Sequence, residues 1–96
     1  MPAYFVAEVD VTSPAGYEPY RAAVPATIAR YGGRYLTRGG AAELTEGGPQ
    51  PKTIVIIEFA DTAALKRWYD SPEYQQILAS RLDNSTGRLF IVEGVS

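Results

Sequence analysis

Seven residues in the middle of the chain, Thr53-Ile54-Val55-Ile56-Ile57-Glu58-Phe59, place apolar side chains on both alternating faces of what their β-branched character makes a strand. A strand with one face in water alternates apolar with polar; one that is apolar on both faces needs cover on both. The helices available elsewhere in the chain cover one side only. The fold must therefore be a sheet with helices on one face, and the second face needs a cover from outside the chain.

The residues ahead of this strand read as strand, helix and strand. Ala3 to Val11 sets Phe5, Ala7, Val9 and Val11 against Tyr4, Val6, Glu8 and Asp10 in period two. Thr12-Ser13-Pro14 offers a capping hydroxyl followed by proline, whose missing N–H falls where a helix has no acceptor for it. The helix that follows carries Tyr17, Tyr20, Val24, Ile28 and Tyr31 on its inner face, with Glu18, Ala22, Ala26 and Arg30 towards the other side. Pro25 cannot donate to the carbonyl of Arg21, which predicts a kink or a loosened turn. Gly32-Gly33 ends the helix and Arg34 to Arg38 is the second strand. Gly39-Gly40 and the run Glu46-Gly47-Gly48-Pro49-Gln50-Pro51 then bracket a short strand-like piece, Ala41 to Thr45, inside a long and mobile hairpin connection.

Beyond the central strand, Asp61 caps a helix that turns Leu65, Trp68 and Tyr69 inward, and Ser71-Pro72-Glu73 starts another with Tyr74, Ile77, Leu78 and Leu82 inward. Asn84-Ser85-Thr86-Gly87 reads as a turn, and Arg88 to Glu93 as the last strand, again with few polar positions. The order β-α-β-β-α-α-β predicts one domain over residues 1–96: an α+β, ferredoxin-like βαββαβ antiparallel sheet with its helices on one face. A chain of 96 residues without cysteine leaves much surface unburied and has no disulfide to compensate. A symmetric homodimer packing sheet against sheet is the economical cover, giving a closed, barrel-like core.

These residues also carry a family resemblance. The tyrosine-rich first helix ending Tyr31-Gly32-Gly33-Arg34 is followed by Arg38-Gly39-Gly40, Glu46-Gly47, Ile57-Glu58-Phe59, Trp68-Tyr69-Asp70-Ser71-Pro72-Glu73-Tyr74, Arg81 and Glu93-Gly94. Together they resemble domain-of-unknown-function family 1330, within the dimeric α+β barrel superfamily. The resemblance implies the dimeric barrel. It implies no particular activity, since the wider superfamily includes cofactor-free monooxygenases, haem-dependent enzymes, isomerases and plain dimeric binders, and a shared fold does not choose among them.

Composition narrows the chemistry. The chain has no histidine and no cysteine, which removes Ser-His-Asp and Cys-His nucleophilic machinery and histidine-ligated haem. Common zinc sites go with them, and no carboxylate cluster suggests an all-oxygen metal site, so neither metal nor cofactor is expected. The glycine pairs fit neither a P-loop nor a dinucleotide fingerprint and read as turns. A net charge of −2 without a basic stripe disfavours nucleic acid. Met1-Pro2-Ala3-Tyr4 lacks the features of an export signal and no apolar run approaches membrane-spanning length, so a cytoplasmic protein without membrane association is expected.

What remains is a set of polar and aromatic candidates. Arg81, four residues after Ile77, projects from the apolar face of the last helix, where a guanidinium needs partners; Glu58 supplies one if it shares that face, as a structural ion pair or as part of an anion site. Arg34, opening the second strand beside the glycine turn, is either a solvated strand end or a group that binds a ligand carboxylate through its planar fork. Tyr20, Trp68, Tyr69 and Tyr74 are either core or the walls of an aromatic pocket, and Asn84 is a candidate to orient an oxygen substituent. Three readings follow. The first is a dimer with a small-molecule pocket between sheet and helices for an aromatic or apolar anion. The second is a cofactor-free monooxygenase or isomerase in which Glu58 moves the proton. The third is a purely structural dimer.

Overall fold

The computed structural model of the protein describes residues 1–95. Its elements are β1 (Ala3–Val11), α1 (Pro14–Arg30), β2 (Arg34–Arg38), β3 (Thr53–Phe59), α2 (Thr62–Tyr69), α3 (Pro72–Asn84) and β4 (Ser85–Glu93). The strands form one antiparallel sheet in the order β2-β3-β1-β4. This is the ferredoxin-like α+β architecture expected from the element order. Among the described residues, no helix is long and apolar enough to cross a membrane.

Pairing register decides which side chains share a face. Phe5 opposes Ile57 and Ala3 opposes Phe59, and these four are buried beneath the helices with Ala7 and Val9. The neighbouring pairs, Tyr4 with Glu58 and Val6 with Ile56, point to the other face, as do Phe90 and Val92 of β4, opposite Val6 and Tyr4. Among the described residues no helix covers that second face: Phe90 and Val92 are each 43% exposed, while Val6, Ile54 and Ile56 are only partly buried. The two-sided apolar pattern of β3 thus corresponds to one buried and one open face.

The helix boundaries follow their caps. Asp61 accepts the Ala64 N–H at 2.7 Å and Ser71 accepts the Tyr74 N–H at 3.2 Å. Ser13 occupies the N-cap of α1, but its side chain makes no capping bond; Pro14 at the first helical position sets the start instead. Gly32, at φ 81°, takes the chain out of α1 in the left-handed region. The helix carries through Pro25, and the Arg21 carbonyl that proline leaves without its N–H accepts instead from the Arg38 guanidinium at 2.9 Å.

Three local expectations are corrected. Ala41 to Thr45 is not a strand: Gly39, at φ 74°, turns the chain off the ladder, and no strand lies beside the segment to pair with it. Asn84 to Gly87 is not a separate turn, because α3 runs through Asn84 and β4 begins directly at Ser85, pairing with Val11. Leu82 is 59% exposed; the inward position next to it is taken by Arg81.

Candidate functional site

The helix-covered side of the sheet is solid at one end and hollow at the other. At the solid end, the fully buried Trp68 packs between Phe5 and Phe59, with ring centroids 5.1 and 5.4 Å away, and lies 4.3 Å from Tyr74. Its indole N–H donates to Thr27 Oγ1 at 3.0 Å, so the one polar atom of the ring is satisfied inside the core. At the other end, under the first half of α1, lies a cavity of about 520 Å³. Its floor is Phe5, Ala7, Val9 and Val11 of β1 with Val55 and Ile57 of β3. Tyr17, Tyr20 and Val24 of α1 form the roof, Tyr35 and Arg38 of β2 one side, and Arg81 of α3 the other. The volume suits a small organic molecule.

Arg81 is the most consequential lining residue. Its Nε is buried and has no hydrogen-bond partner, whereas a buried donor is normally paired. Glu58 does not supply the partner. It lies on the opposite sheet face, where Arg34 Nε donates to its Oε1 at 2.7 Å. The expected Arg81–Glu58 pair is therefore absent, and Glu58 cannot move a proton in this cavity. Arg34 is likewise on the open face, engaged with Glu58.

The tyrosines are neutral donors. Tyr20 and Tyr74 join hydroxyl to hydroxyl at 2.9 Å, so Tyr74, fully buried, backs the cavity through Tyr20 without lining it. Burial pushes the pKa of Tyr20 far above its ordinary 10.0, and the adjoining Tyr74 hydroxyl pushes it further. Burial also raises Tyr74, against the opposing pull of its bond with Tyr20 and of the Arg81 charge. Tyr17 and Tyr35 are raised by burial as well, opposed chiefly by Arg81 and Arg38 respectively. All four stay protonated at neutral pH and offer O–H groups rather than bases.

Of the candidates read from sequence, Tyr20 and Arg81 line the cavity, with Tyr74 directly behind. Trp68 belongs to the solid end, and Tyr69 packs there, 6.3 Å from Phe5 and 5.2 Å from Tyr74. Asn84 is structural: its side-chain amide donates to the Ser80 carbonyl at 2.8 Å, and its backbone carbonyl accepts from the N–H groups of Thr12 and Ser13. It ties the end of α3 to the start of α1, where a side chain at Gly16 would collide with it. Sequence reading missed Tyr17, Tyr35, Arg21 and Arg38 as lining residues. Tyr17 was placed on the inner helix face but carried no separate signal. Arg38 depends on a β-bulge: Tyr35 opposes Ile57 and Thr37 opposes Ile56, so the irregularity between them returns Arg38, opposite Val55, to the helix-covered face.

The sequence matches the family described as Domain of unknown function (DUF1330) over residues 2–95. The chain belongs to DUF1330. No curated protein matches it. Solved structures similar to it include RPA0582, a protein of unknown function from Rhodopseudomonas palustris, with a TM-score of 0.76 at 20% identity over 99% of this chain and 83% of that one. SnoaB from Streptomyces nogalater, a cofactor-independent oxygenase, gives 0.69 at 21% identity over 99% and 94%. Rv0793 from Mycobacterium tuberculosis gives 0.59 at 18% over 100% and 97%. At these identities the likeness is one of fold, and this DUF1330 chain shares with them its four-stranded antiparallel sheet.

Proposed function

We propose that this DUF1330 protein is a cytoplasmic homodimer that binds a small aromatic or otherwise apolar anion in the cavity between α1 and the sheet. The observation that carries the reading is Arg81 Nε, buried without a partner on the wall of a cavity whose floor is apolar and whose roof carries tyrosine hydroxyls. Leaving such a donor unpaired costs about 1–3 kcal/mol or more, which an accepting anion removes. The aliphatic floor suits the apolar body of the ligand, and the second copy covers the open face, where Phe90, Val92, Val6, Ile54 and Ile56 stand unpacked.

Binding fits these groups better than catalysis does. Oxygenase or isomerase chemistry on an enolisable acid needs a base. The lining offers tyrosines held in their neutral form, and its one carboxylate, Glu18, is exposed at the mouth. The cofactor-independent oxygenase of the same fold keeps the catalytic reading in view, with the substrate's own acidity as its requirement.

Native mass spectrometry of the freshly purified protein and of Arg81→Met tests the proposal. The expected result is a dimer with a discrete small adduct, and a folded Arg81→Met dimer without it. Retention of the adduct by Arg81→Met overturns the role of Arg81. A bare wild-type dimer, together with an Arg81→Met variant more stable than wild type, favours a purely structural arginine. A monomer removes the dimer from the reading.

A further inference from the structure

The charge on the cavity wall does not follow that of the chain. The protein as a whole carries −2, yet three of its nine basic residues, Arg21, Arg38 and Arg81, line this one cavity against a single carboxylate, Glu18. Among the described residues the ion pairs are Arg30 with Glu73 and Arg34 with Glu58, both away from the cavity. The lining therefore holds a surplus of two positive charges, and no anion among the described residues is bonded to them.

Two of the arginines approach from opposite sides. Arg81 comes from α3 and also borders a smaller hollow with Val9, Ser85 and Gly87, which places it over the β1–β4 side of the sheet. Arg38 comes from β2, the strand at the other edge. β1 and β2 are two strand spacings apart, about 10 Å. Between the two arginines lies the apolar floor, with Tyr17 feeling the charge of both.

Arg38 is held ready rather than used up. The bulge in β2 turns it to the cavity side, its guanidinium carbon sits 5.0 Å from the Tyr35 ring centroid, and Nη2 donates to the Arg21 carbonyl that Pro25 leaves free. A guanidinium has five N–H donors, so this anchoring leaves the others for an anion. Arg81 is the more buried of the two, and Arg38 is exposed.

We infer that the cavity selects ligands carrying two acidic groups at opposite ends of one flat, ring-sized apolar body, with Arg81 binding the first and Arg38 the second. This rests on the binding role proposed above and adds the charge and shape of the ligand. Arg38 is then a specificity residue, and its loss removes the preference for the second anion without removing the site.

The test uses isothermal titration calorimetry of the full chain with two probes, terephthalate and the monoanion 4-methylbenzoate, which keeps the flat ring and one carboxylate. Wild-type protein binds terephthalate at least about tenfold more tightly, the effect of one added charge-assisted pair. Arg38→Gln brings the two affinities together by lowering that for terephthalate more than that for 4-methylbenzoate, and Arg38→Lys restores part of the gap. Arg81→Gln weakens both probes. Circular dichroism checks that the Arg38 variants keep the wild-type fold; if Arg38→Gln does not, the probe ratio in wild-type protein and in Arg38→Lys decides. Equal wild-type affinity for the two probes, or an Arg38→Gln variant that weakens both alike, overturns the selectivity while leaving the site in place. Failure of wild-type protein to bind either probe overturns the aromatic-anion site itself, and the selectivity with it.

Discussion

The two ends of the helix-covered sheet face start from the same alternating apolar strand residues and finish with opposite properties. At the end formed by Ala3, Phe5 and Phe59, the short helix α2 delivers the only tryptophan of the chain, and the space is filled by aromatic rings in contact. At the end formed by Val9, Val11 and Val55, the roof is α1, and the large side chains that reach in are tyrosines and arginines. α2 is eight residues long and begins just after β3 ends, so it can cover only the first of these ends. The hollow thus arises from helix length and from which side chains are large, and its walls differ from core because their large side chains, the tyrosines and arginines, end in polar groups.

Truncation makes the sharpest contrast. Trp68→Ala removes the ring that touches Phe5, Phe59 and Tyr74 and leaves Thr27 without its indole partner, so a loss of about 3–5 kcal/mol is expected. Val9→Ala, on the floor of the hollow end, is expected to cost about 1–2 kcal/mol because fewer atoms close around it. Urea unfolding of both variants measures the difference. A Trp68→Ala loss no larger than that of Val9→Ala would mean that the two ends are equally loosely packed.

The same contrast explains what was legible in the sequence. Strand and helix positions and the inward residues Tyr20, Trp68, Tyr74 and Arg81 follow from periodicity and from caps such as Asp61 and Ser71, because those signals are local. Glu58 was misassigned because a residue's sheet face relative to a distant helix depends on register, which no local pattern states. Arg38 was overlooked for a related reason: strict alternation puts it on the face opposite Tyr35, and only the bulge reverses this. Trp68 and Tyr20 looked equivalent in sequence, two aromatics at helical spacing. Whether an aromatic fills core or borders a cavity is decided by how many elements converge on it, which is a property of the assembled layers.

Alkaline pH distinguishes the ends next. The tyrosines around the hollow end have pKa values raised above the ordinary 10.0 by burial. Above that pH the unfolded chain releases phenolic protons that the folded chain retains, so the unfolded state binds fewer protons and stability falls as pH rises. Full stability is present below pH 10.0. Each tyrosine held protonated contributes a slope of up to about 1.4 kcal/mol per pH unit above it. Urea unfolding at several pH values should show the decline, and Tyr20→Phe should reduce its slope. An unchanged slope in that variant would mean that Tyr20 ionises as easily folded as unfolded.

Removing single hydroxyls gives the finest comparison. Tyr20→Phe strips the buried Tyr74 hydroxyl of the partner 2.9 Å away, and about 1–2 kcal/mol of stability is expected to go with it. Tyr17→Phe removes a hydroxyl from a half-buried ring on the cavity roof, at the wetter end of the same helix face, and should stay within about 0.5 kcal/mol of wild type. If the two losses are equal, the Tyr20–Tyr74 contact contributes no more than a solvated hydroxyl. The boundary between solid and hollow would then lie deeper than Tyr20, between Tyr74 and Trp68, and the cavity would have a second buried phenol available to a ligand.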